Sequence, residues 1–228
     1  MLVPSMTTAE MVADARKDHK ALWNKVNGLL PKLRRTYLRE RGPAAPTHLE
    51  AWTSPRGNDW LFHFTLRKTG PLLGTMVWTY DRAGLPFGLV VQTSGITYHL
   101  ENHLVRRYGE RFDPHANPTE RLRNFYMENH SFAVETQGER RPGVKRVQVG
   151  MNHGLGLGSW DLESDIINVE TFVDFGNLFP HQLELMEHFD AQRAWDALTP
   201  GQQQERLRRA KLQEERRNGS QEQEGHAA

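Results

Sequence analysis

Three short runs between residues 60 and 92 constrain the fold more than anything else in this chain. "WLFHFTLRK" (60–68), "GTMVWTYDR" (74–82) and "FGLVVQ" (87–92) are rich in β-branched and aromatic residues. Glycine- and proline-bearing turns, "TGPLLG" and "AGLP", separate them. Runs of this length joined by such turns read as neighbouring strands of an antiparallel meander.

The meander lies between helical patterns. Residues 8–41 repeat apolar side chains at helical spacing (Met11, Ala15, Leu22, Val26, Leu29, Leu33, Tyr37), with Thr8 as a cap and Pro31 as the expected break. Its other side is basic, with Lys17, Lys20, Lys25, Lys32, Arg34 and Arg35: a solvated face, or one turned to nucleic acid. "RGPAAPTH" (41–48) reads as a loop. Ser94 or Thr97 starts a helix running to Phe112, and a second follows at 118–129 with proline at its start. Strand-like runs come next at 131–136, 145–151, 153–161 and 165–173, then a helix at 177–197. The order predicts an α+β fold, a mostly antiparallel sheet with packed helices. Residues 1–45 are expected as a helical extension, 46–198 as the α+β core and 199–228 as a polar tail, helical and then disordered. That tail, "GQQQERLRRAKLQEERRNGSQEQEGHAA", has too few apolar side chains to fold alone.

Charge and cysteine usage narrow the function classes. Against 29 Lys and Arg stand 28 Asp and Glu, so attraction to nucleic acid must come from a local patch. No cysteine is present, which removes disulfides and thiolate metal sites and suits a reducing, cytoplasmic setting. No apolar run approaches the roughly 20 residues that span a bilayer. The first residues show no basic leader followed by an apolar stretch.

The stretch "YHLENHLVRRYGERF" (98–112) carries the most chemistry. Wound as one helix at about 100° per residue, it puts Leu100, Leu104, Val105, Tyr108 and Phe112 on a buried arc. Arg111 falls within that arc, Arg107 on its rim, and Arg106 faces water. A guanidinium in a partly desolvated place requires a carboxylate, carbonyls or an anionic ligand. The carboxylate candidates are Glu163 and Asp165. The His99–His103 spacing suits a zinc pair, but the glutamate of the metalloprotease motif does not directly follow the first histidine, and neither His115 nor His130 is required as a third ligand. Without a metal, His103 could move a proton while Arg107 and Arg111 neutralise a phosphate.

Separated fragments resemble a wider pattern: "HLVRRYGERF" (103–112), "FYMEN" (125–129), "GLGLGSWD" (154–161), "TFVDFGNL" (171–178) and Gln182. Over roughly residues 95–185 the layout is similar to uncharacterised bacterial mobile-element proteins and to the barnase-, colicin- and RelE-like metal-independent ribonucleases. The resemblance implies His103 as acid/base, Arg107 and Arg111 as phosphate-binding groups, and Thr171 as a sheet residue facing the scissile phosphate. Asn129 or Gln182 would position the substrate, and His181 and His188 are rival imidazoles. Gly154, Gly156 and Gly158 lack the Lys-Ser/Thr of a nucleotide-binding loop and mark a strand with close backbone approach.

Two functions follow as expectations. One is a ribonuclease-like toxin or effector that needs no metal or other cofactor and has RNA and an inhibitor protein as partners. The other is a non-catalytic accessory protein that binds a protein partner or nucleic acid.

Overall fold

The computed structural model describes residues 1–39, 47–66, 72–92, 94–196, 198 and 201–208. The chain divides into two compact units, Met1–Met186 and Glu187–Ala228.

The first unit opens with α1 (Thr8–Arg16) and α2 (His19–Arg39). Strands β1 (Thr47–Thr53), β2 (Asp59–Thr65), β3 (Leu72–Tyr80), β4 (Pro86–Val91) and β5 (Thr97–Leu100) follow. Helices α3 (Asn102–Phe112) and α4 (Pro118–Glu128) come next, then β6 (Ala133–Arg141), β7 (Val144–Met151), β8 (Gly154–Asp161) and β9 (Ile166–Asp174). The strands form one sheet in the order β1-β2-β3-β4-β5-β9-β8-β7-β6. Neighbours run antiparallel except β5 and β9, which pair in parallel. The fold is α+β, with the expected meander and later strands in one sheet.

Period-two alternation gives the sheet two apolar faces. Leu61, Met76 and Val90 pack with Leu104, Tyr108, Leu122 and Phe125 of α3 and α4. Trp60, Phe62, Phe64, Val77 and Leu89 pack with Met11, Val12, Leu22, Val26 and Leu33 of α1 and α2. Burial on both faces explains why β4, "PFGLVV", is buried at all six positions.

Several boundaries differ from the sequence reading. The first helix breaks at Lys17–Asp18, and Pro31 lies inside α2. Asp18 is buried and accepts from Asn58 Nδ2 at 2.8 Å and Trp60 Nε1 at 3.0 Å, so the break turns its carboxylate onto the sheet. Residues 47 and 48, expected in a loop, begin β1, whose seven residues all pair with β2. The helix expected from Ser94 or Thr97 begins only at Asn102, because 97–100 pair with β9 as β5. Among the described residues no helix is long and apolar enough to cross a membrane.

Helix α5 (Pro180–Asp196) runs into the second unit. There Arg193 pairs with Asp190, and Gln203 of a helical segment at 201–208 donates to the Trp195 carbonyl at 3.1 Å. The tail from 209 onward, which holds the part of 199–228 expected to fade from helix into disorder, lies outside the described residues.

Candidate functional site

Helix α3 is anchored by Leu104, Val105 and Tyr108, all at most 3% exposed. Its polar groups are distributed differently from the single-helix reading. His99 lies in β5, not on α3, and donates from Nδ1 to Asn168 Oδ1 of β9 at 2.9 Å. Burial pushes this imidazole below its usual range, with the Asn168 bond acting against that. His99 and His103 therefore share no helix face, and the zinc-pair geometry is lost. Among the described residues no group of three or more His, Asp or Glu is arranged around a metal position.

Arg111 does sit at the apolar edge, and its counter-charge is Asp174 at the end of β9, not Glu163 or Asp165. Arg107 is half exposed and, among the described residues, pairs with Glu110 on its own helix at 3.4 Å. Thr171 precedes Phe172, which packs against Tyr108. Strand alternation turns Thr171 to the opposite face of the sheet from α3. Asn129, fully buried at the end of α4, donates to the Phe125 carbonyl at 3.2 Å and accepts from the His153 backbone N–H at 3.0 Å. It ties α4 to the β7–β8 turn. Gln182 accepts from the Phe179 N–H at 3.0 Å at the start of α5, and His181 is exposed and stacked on Phe179. Arg107, Arg111, Thr171, Asn129, Gln182 and His181 are not gathered around His103.

Two other residues are. His103 lines a cavity of about 250 Å³ between α3 and α4 together with Arg106 and Arg121. Among the described residues its charged lining is Arg106 and Arg121, with no carboxylate, and Pro118 at the amino end of α4 forms another wall. Arg106 does approach Glu110 on its outer side, at 3.8 Å.

Local sequence builds this arrangement. Asn117 caps α4 by accepting from the Glu120 N–H at 3.0 Å, and Glu120 closes the capping box. Arg121, one residue on, lies across α3 at Gly109, where an added Cβ would sit 2.2 Å from Arg121 Cδ. Arg121 Nη2 donates to the Pro114 carbonyl at 2.9 Å, and its Nε is buried without a partner. The only hydrogen on the Arg106–His103 bond (2.9 Å) belongs to the guanidinium, which cannot accept. His103 Nδ1 therefore accepts, and the neutral ring carries its proton on Nε2.

A second polar cluster lies elsewhere. His63 of β2 is 1% exposed, stacks on His130 with centroids 3.5 Å apart, and has no partner for Nε2. Burial first, then the neighbouring His130, pushes its pKa down to about 4. A cavity of about 530 Å³ reaches it. The signal in the sequence was a lone histidine inside the buried run "WLFHF". No family model matches this chain, and comparison with curated proteins and with solved structures returns no match.

Proposed function

We propose that this protein is a non-catalytic RNA-binding protein that holds a backbone phosphate in the α3/α4 cavity. The supporting observation is the convergence of Arg106, Arg121 and His103 on one cavity whose lining, among the described residues, contains no carboxylate. Guanidinium forks match phosphate geometry. The His103 Nε2–H would be a third donor to the same group. Cleavage by the same histidine fits less well. With Nδ1 engaged by Arg106 and the proton on Nε2, the ring has no lone pair left to take the proton of a 2′-hydroxyl.

The test is anisotropy of a fluorescein-labelled single-stranded RNA, titrated with protein in EDTA at low and moderate salt, with the RNA then run on a gel. Binding should weaken as salt rises, and Arg121→Ala should reduce the salt slope by about one. The RNA should remain intact. Absence of binding, or equal binding by Arg106→Ala, Arg121→Ala and wild type, overturns the proposal. RNA cleavage lost in His103→Ala would replace it with the ribonuclease reading.

A further inference from the structure

Helix α2 carries a surface that neither cavity explains. Of the chain's 29 Lys and Arg, six lie on this helix, and none of its 28 Asp and Glu do. Leu22, Val26 and Leu33 form the stripe buried against the sheet. Lys20, Lys32, Arg34, Arg35 and Arg39 fall outside that stripe and are all exposed. Lys25, at its margin, pairs with Glu50 of β1 at 3.3 Å. Among the described residues the other five have no carboxylate partner. At about 1.5 Å per residue the row from Lys20 to Arg39 is about 28 Å long.

Gly28 lies in the middle of this face. Its backbone is helical, and a Cβ added there would meet nothing within 4 Å. Neither conformation nor packing within the chain calls for a glycine, and glycine inside a helix is less stable than almost any other residue. What a bare backbone offers at that place is close approach by something outside the chain. Asn24 and Lys32 stand one turn to either side, and Arg35 two turns on. Trp23, on the rim of the face, is 41% exposed and stacks on no other ring among the described residues.

We infer that the outward face of α2 docks single-stranded RNA, with its Lys and Arg along the phosphates, the strand passing closest at Gly28 and a base stacked on Trp23. Cationic side chains that follow the backbone, with an aromatic ring that accepts any base, are the means by which proteins hold single strands. The class of partner rests on the RNA-binding reading, but the surface does not depend on the α3/α4 cavity. Helix α2 packs on the opposite face of the sheet from α3 and α4, so this is a second, separate contact. A lipid surface fits the face less well. A helix lying in a bilayer interface turns its apolar stripe to the lipid, whereas that of α2 is covered by the sheet.

The test titrates fluorescein-labelled single-stranded RNA with the full chain at several salt concentrations, read by anisotropy. The double variant Lys32→Gln/Arg35→Gln should reduce the salt slope by about 1.4, at about 0.7 per phosphate contact. Trp23→Ala should weaken binding about tenfold. Gly28→Gln should raise the unfolding midpoint, because glutamine favours a helix, and yet weaken RNA binding, a pair of effects that a merely structural glycine does not give. Arg106→Ala reports on the cavity separately. Losses in the α2 variants alone leave this inference standing and remove the cavity reading, and a loss in Arg106→Ala alone does the reverse. Absence of RNA binding overturns both. Wild-type binding by Gly28→Gln, or an unchanged salt slope in the double variant, would overturn the inference. So would tighter binding to phosphatidylserine vesicles than to RNA, in favour of a membrane partner.

Discussion

Acidification should destabilise this protein through His63 before its carboxylates are protonated. An ordinary imidazole titrates at 6.5, whereas burial beside His130 holds His63 at about 4. The unfolded chain therefore takes up a proton that the native chain refuses throughout that interval. Stability is complete above 6.5 and is lost as pH falls toward 4, at up to about 1.4 kcal/mol per pH unit, or about 3 kcal/mol in all. His99, also held below the usual range by burial, adds to the loss in the same direction. Subtracting a variant isolates His63. Urea unfolding of wild type and His63→Phe, followed by tryptophan fluorescence from about pH 7 to pH 4.5, should give a wild-type curve falling the more steeply. By about pH 5 the two should have diverged by about 2 kcal/mol. Parallel curves would mean that His63 accepts a proton in the folded state as readily as in the unfolded one. The burial argument for its neutrality would then fail.

Two substitutions test the α3 helix. Gly109→Ala should displace Arg121, because the new methyl would meet its Cδ, at a cost of about 1–3 kcal/mol. RNA affinity in the anisotropy assay should then fall as far as in Arg121→Ala. Arg111→Ala leaves the partly buried Asp174 carboxylate without its partner and should lower stability by about 1 kcal/mol, whereas Arg107→Ala, which loses only an exposed contact to Glu110, should change it by less than about 0.5 kcal/mol; thermal unfolding of both beside wild type gives the comparison.

The sheet could be read from the sequence because its signal is local. Alternation and turn residues placed β2, β3 and β4, and the Pro118 helix start followed from positional chemistry that requires no neighbours. The glycine run at 154–158 was also legible as close approach. An added Cβ at Gly158 would stand 1.8 Å from the Asn168 carbonyl oxygen of β9. The β5–α3 boundary was not legible, because Leu100, Leu104 and Tyr108 satisfy a helical arc as well as a strand followed by a helix. Only pairing with β9, some seventy residues onward, decides between them.

The candidate site shows where single-helix reasoning stops. A guanidinium at the apolar edge of a helix demands negative charge, but helix geometry does not say whether a ligand or a carboxylate supplies it. At Arg111 the chain supplies Asp174 itself, which removes the need for a phosphate there. Arg106 falls on the arc that the same geometry assigned to water, and its side chain is 60% exposed. Helix α4 adds Arg121, lying across Gly109, to the cavity that Arg106 also lines. What makes Arg106 a candidate ligand group is therefore a residue fifteen positions away on another helix, a relation that periodicity cannot carry.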